Sequence, residues 1–157
     1  MVGNYGATDE LRAFIEVSDA RMSLVAQKRR GRFTIMLIRY ASAVLTLSGA
    51  FALILGLLLW TGAGLNLISM HMLLGFLTVG ALWLIGIGQL LSQNRSWVIA
   101  VVALLVGALT IVLGLYQSSI IIGKSHWVIQ VTHLLLGILT IGLGHMGAAR
   151  SRKSVAG

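Results

Sequence analysis

Apolar residues dominate four long stretches of the chain, and polar residues collect at their ends. The stretches run from about Arg39 to Trp60, Leu67 to Leu91, Trp97 to Tyr116 and His126 to Ala149. As a helix, each is long enough to cross the ~30 Å of hydrocarbon in a bilayer. The connections Thr61 to Asn66, Ser92 to Ser96 and Gln117 to Ser125 are short, so consecutive spans must lie side by side in an up-down-up-down bundle. Trp60, Trp97, Tyr116 and Trp127 fall at the ends of spans, where amphipathic rings prefer the membrane–water interface.

Ahead of the spans the pattern changes to helical alternation. From about Thr8 to Lys28, Leu11, Phe14, Ile15, Met22 and Val25 fall near one side, and Arg12, Glu16, Asp19 and Arg21 lie mostly on the other. Thr8 with Asp9 and Glu10 makes a suitable cap and first turn, because carboxylates favour the positive end of a helix. The expectation is an amphipathic helix on the membrane surface or against a partner, followed by the basic anchor Lys28-Arg29-Arg30-Gly31-Arg32 in contact with lipid phosphates. The domain reading is an N-terminal segment 1–38, a membrane domain 39–150 and a basic tail 151–157.

Composition agrees with a lipid environment. Apolar residues make up 57% of the chain and charged residues 10%, with a mean hydropathy of +0.93, more apolar surface than a water-soluble domain of this size can bury. The chain is an all-α membrane protein on this reading. Without cysteine it has no disulfide, thiolate metal site or cysteine nucleophile. The net charge of +8 does not signal nucleic acid, because the basic residues flank the spans. Arg12, Arg21, Lys28, Arg29, Arg30, Arg32, Arg39, Arg95, Arg150, Arg152 and Lys153 fall on one side of the membrane, and Lys124 alone on the other. Both termini are therefore expected in the cytoplasm, with the chain in the cell's inner or plasma membrane.

One motif occurs twice. His71 opens HMLLGFLTVG and His133, sixty-two positions later, opens HLLLGILTIG, with seven of ten positions identical. The preceding spans correspond too: Gly49-Ala50 and Leu55-Gly56-Leu57 recur as Gly107-Ala108 and Leu113-Gly114-Leu115, fifty-eight positions on. The bundle thus reads as two repeated helical hairpins, each contributing one histidine. At 1.5 Å per residue both histidines sit roughly 6 to 10 Å below the same boundary and can face each other. An ionisable side chain inside a span is expensive and marks function by default. Two opposed neutral imidazoles with no acid nearby call for an electrophile between them, and haem iron, with two axial nitrogens and a flat macrocycle, is the natural candidate. Gly75 and Gly137, one turn deeper than the histidines, leave room for a porphyrin edge. Gly49 with Gly56, and Gly107 with Gly114, clear one face of spans one and three for the macrocycle or a neighbouring helix. Thr78 and Thr140 are expected to bond back to their own helices.

A four-helix bundle with His-x-x-x-Gly opening helices two and four resembles the bis-histidine b-type cytochromes, such as cytochrome b561-like proteins and each half of haem A synthase. Over about Arg39 to Arg150 the resemblance implies one low-spin haem b per chain, with His71 and His133 as axial ligands and electron transfer as the activity. Such proteins often carry a second haem, but the counterpart of His145 is Trp83, which cannot ligate iron. His145 therefore reads as a helix-terminal residue near headgroups. His126, seven residues before His133, either reaches a haem propionate, with Lys124 or Ser125 assisting, or is an interfacial histidine, and Gln130 either orients a ligand or caps the site from outside.

Other chemistry lacks its residues. The four acidic residues, Asp9, Glu10, Glu16 and Asp19, all precede the spans, so carboxylate proton relays and coupled cation sites are excluded. There is no phosphate-binding glycine loop, Ser-His-Asp arrangement or HExxH. Gln89, Gln93 and Asn94 cluster at the cytoplasmic end of span two and read as a polar helix end, with contact to a quinone headgroup as the alternative. The expected role is an electron-transfer subunit of a larger redox or photosynthetic assembly, rather than a stand-alone enzyme. Its partners would be lipid, other membrane redox subunits, and a quinone or external electron carrier. Two readings compete: a cofactor-free scaffold subunit with histidines bonded across the bundle, and a chlorophyll-type pigment protein in which each histidine ligates its own magnesium.

Overall fold

The structure is a computed structural model that describes residues 5–91, 97–120, 123 and 125–156, with side chains for 10–91, 97–120, 123 and 125–151. The expected loop Ser92 to Ser96, including Gln93 and Asn94, lies outside the described residues, as do Lys124 and the side chains of Thr8, Asp9 and the 152–157 tail. The secondary structure is helical: α1 Tyr5–Trp60, a single 3₁₀ turn Leu65–Leu67, α2 Ile68–Leu91, α3 Trp97–Tyr116 and α4 His126–Ala156. All four helices are long and apolar enough to cross a membrane.

Helix ends follow from what the chain offers in place of proline, which it lacks. After Trp60 the backbone turns out of α1 through Gly62 and Gly64, both at positive φ (77° and 72°), a conformation glycine adopts without steric cost. Gly123, at φ 104°, does the same before α4.

The chain divides into two compact units, Met1–Thr34 and Ile35–Gly157. In the first, the expected amphipathic face is present as sequence, and Leu11, Phe14, Ile15, Met22 and Val25 are all solvent-exposed. The surface helix and the first span were read as separate elements, but both belong to α1. Between Lys28 and Arg39 the only weak helix former is Gly31, so nothing in that stretch terminates helical hydrogen bonding.

In the second unit, α1 buries Ile38, Ala41, Leu45 and Ser48 at helical spacing. Ala41 and Leu45 join a core of Ala81, Leu82 and Ile85 from α2, Ala103 from α3 and Leu143 from α4. Leu47, Phe51 and Ile54 of α1, Leu73 and Leu84 of α2, Leu104 and Leu105 of α3, and Leu135 and Ile138 of α4 point outward. Lipid is the solvent that accepts such a belt. Ala52 meets His71 while Ser48 meets Thr78, so α1 and α2 run antiparallel. Thr110 meets Thr140 and Gly114 lies against His133, so α3 and α4 do too.

Candidate functional site

His71 lies in the first turn of α2 and His133 two turns into α4. Their ring centroids are 6.2 Å apart, with the ring planes at 69°. A glycine seats each ring. A Cβ on Gly56 would come within 3.1 Å of His71 Cε1, and one on Gly114 within 3.0 Å of His133 Cε1. α1 and α3 thus admit the imidazoles because they carry no side chain there. His71 Nδ1 lies 3.0 Å from the carbonyl oxygen of Ala52, which can only accept. Nδ1 of His71 therefore carries a proton, so that in the neutral imidazole the lone pair is on Nε2. The Nδ1 of His133 is enclosed and has no hydrogen-bond partner among the described residues.

Both histidines form part of the wall of a cavity of about 590 Å³, within the range of small-molecule and cofactor sites. Leu53, Leu57, Phe76, Ile111, Leu134 and Ile141 make the lining largely apolar. Gly75 has nothing within 4 Å of where its Cβ would be, and Gly137 only Leu53 Cδ2 at 3.8 Å. Trp60, Gln117, Ser118, His126 and Gln130 lie at the end of the cavity nearest the turn between α1 and α2 and the start of α4. Thr78, Thr110 and Thr140 line the far end. There, two hydroxyl pairs cross between helices, Ser48 Oγ to Thr78 Oγ1 at 2.9 Å and Thr110 Oγ1 to Thr140 Oγ1 at 3.1 Å. Thr78 also donates to the Leu74 carbonyl of its own helix at 2.8 Å, the back-bond expected of it.

Most of the residues selected from sequence reach this cavity: His71, His133, Gly75, Gly137, Gly49, Gly56, Gly114 and His126 all line it. Gly107 does not. A Cβ there would run into Val79 and Trp83, so it serves a close approach of α3 to α2. Gly49 touches the cavity but is also covered by Ile141 of α4, at 2.8 Å from a Cβ. Val79 and Ile141 are sixty-two residues apart, so the two glycines meet corresponding partners. His145 is not at a helix end, because α4 continues to Ala156; it is exposed and lies 3.3 Å from Thr46 Oγ1. Gln89 is buried, and its amide donates to the Gly147 carbonyl at 2.5 Å and to Ser151 Oγ, so it holds helices together and does not face a headgroup. The hydroxyl pairs escaped the sequence reading. Their one available signal was that Ser48 and Thr110, like Thr78 and Thr140, are sixty-two positions apart.

The donor set limits what the site can hold. Among the described residues no group of three or more His, Cys, Asp or Glu comes together, so a metal cannot be enclosed by protein ligands alone as in a structural zinc site. A metal that brings its own equatorial ligands needs only two opposed nitrogens. With metal–imidazole bonds of ~2 Å and ring centres about 1 Å behind each nitrogen, two trans imidazoles have centroids roughly 6 to 6.5 Å apart. The observed 6.2 Å, the open space at Gly75 and the apolar walls fit a macrocycle carrying its metal between the rings.

No family model matches the chain, and neither a curated protein nor a solved structure matches it.

Proposed function

We propose that the chain is a b-type cytochrome subunit, holding one haem b between His71 and His133 and passing electrons within a larger membrane redox or photosynthetic assembly. The observation that carries this reading is the pair of facing imidazoles, 6.2 Å apart at the wall of an apolar cavity. Haem held by His71 and His133 would supply one-electron transfer there.

The chain's own residues do the rest. Ala52 fixes the tautomer and orientation of His71 through its carbonyl, as the outer hydrogen bonds of metal-binding histidines generally do. Gly75 and Gly137 keep the walls clear, and the leucine and isoleucine lining excludes water from the redox centre. His126 and Gln130 offer polar groups where a haem carboxylate would emerge. The helices form two repeated hairpins, each delivering one ligand and one seating glycine. The basic residues place both termini in the cytoplasm, and the exposed apolar side chains of the N-terminal unit make it a docking element for lipid or a partner subunit.

A second reading has an observation in its favour. An edge-to-face ring pair at 6.2 Å also lies within the ~4.5 to 7 Å range of ordinary aromatic contacts, which suits a cofactor-free scaffold subunit. A reduced-minus-oxidised absorption spectrum of the purified chain, with a pyridine haemochrome assay, separates the two. The cytochrome reading expects a b-type spectrum at one haem per chain. A colourless chain that takes up no added haem would leave the scaffold.

A further inference from the structure

The two histidines occupy corresponding places in unlike surroundings. His71 donates its Nδ1–H to the Ala52 carbonyl, four residues before its seating glycine, Gly56. The residue four before Gly114 is Thr110. Thr110 lies on the cavity wall with its hydroxyl bonded to the Val106 carbonyl at 2.8 Å and to Thr140 Oγ1 at 3.1 Å. In the second hairpin His133 makes no such bond to a backbone carbonyl, and its Nδ1 is left enclosed without a partner among the described residues.

A neutral imidazole carries one proton on one of its two nitrogens. An enclosed N–H with no acceptor is the rarer and costlier orphan, so at His133 the proton belongs on Nε2 rather than on the enclosed Nδ1. For His133 to present a lone pair from Nε2, that proton must leave Nε2 and arrive at Nδ1, where nothing receives it. His71 already has the required tautomer.

Resting on the cytochrome reading above, we infer that the site is asymmetric: His71 is the fixed axial donor, and His133 is the exchangeable one, which yields its place to a small neutral ligand such as imidazole or carbon monoxide. The outer hydrogen bond of a metal-binding histidine is typically worth about 10- to 100-fold in affinity, which sets the expected size of the inequality.

The test uses the full chain in detergent. Nitrogen-15 histidine spectra of the haem-free protein should show His71 protonated at Nδ1 and His133 at Nε2. In haem titrations, His71→Gly should weaken binding about 10- to 100-fold more than His133→Gly. The His133→Gly complex should be high-spin and return to low-spin with added imidazole, and carbon monoxide should bind the reduced wild type. The same tautomer at both rings overturns the asymmetry even if a variant fails to fold, since that measurement needs only wild-type protein. Equal losses in the two variants, with no carbon monoxide complex of the wild type, overturn it while leaving a symmetric cytochrome. A wild-type chain that takes up no haem removes the cytochrome reading, and exchangeability falls with it whatever the tautomers.

Discussion

The two ends of the bundle use the same residue for opposite purposes. At the histidine end, Gly75 and Gly137 face open space, and a side chain added there would meet little or nothing. Toward the other end, Gly144 and Gly147 of α4 are covered by Leu45 of α1 and Ile85 of α2, which press into the places their side chains would occupy. Leu45 and Ile85 are among the most completely buried residues of the protein. Gly75 and Gly137 leave room that no other part of the chain takes up, whereas glycine near Gln89 lets the chain fill the room itself. A small residue in a membrane helix therefore has no fixed meaning, and the neighbouring helix decides between a void and a tight contact.

Substitutions can break this contrast. The largest effect is expected from Gly144→Leu, which overpacks the closed end against Leu45 and should cost about 3 kcal/mol or more in an SDS-unfolding titration. Gly75→Leu should leave that titration within about 0.5 kcal/mol of wild type. It should also lower haem uptake by roughly 100-fold, seen by absorbance titration, since the new side chain occupies cavity and displaces no protein atom. If Gly75→Leu unfolds the bundle as readily as Gly144→Leu, the two ends do not differ in the way described. At the closed end, Gln89→Leu removes a buried donor to Gly147 and Ser151 and should destabilise by about 1 to 2 kcal/mol in the same titration. The smallest effect belongs to the cavity floor. A double-mutant cycle of Ser48→Ala and Thr78→Val should return a coupling of about 0.6 kcal/mol, the typical value for hydroxyl bonds between membrane helices.

How much of this was legible in the sequence differs along the same line. The ends of the spans at Trp60, Leu91, Trp97, Tyr116 and His126 agree with the helices, because an apolar run of hydrocarbon length bounded by polar residues and glycine leaves few alternatives. The histidine pair was legible too, since a repeated ionisable residue in such a run is conspicuous. The passage of α1 through residues 28–39 was not, because a change from amphipathic to uniformly apolar patterning looks like a boundary although the backbone has no reason to stop. Gly107 was read with Gly114 from their seven-residue spacing, yet seven residues is a displacement of about 10 Å along the axis, enough for a crossing helix to present a different neighbour. The hydroxyl pairs left no trace because serine and threonine can satisfy themselves within any apolar helix. The unequal surroundings of His71 and His133 depend on one backbone carbonyl, that of Ala52, whose equivalent His133 Nδ1 does not reach and which no repeat alignment weighs.

Gln89 has a consequence for the order of assembly. Its bonds to Gly147 and Ser151 pin α2 to α4 at the end remote from the cavity, where the core is already dense. Helices α2 and α4 are thus held together at that end whether or not the cavity is filled, so on the cytochrome reading the bundle does not need haem to close there. Assembly of the helices and filling of the cavity would then be separable steps, with the chain able to wait, already built, for what the cavity takes.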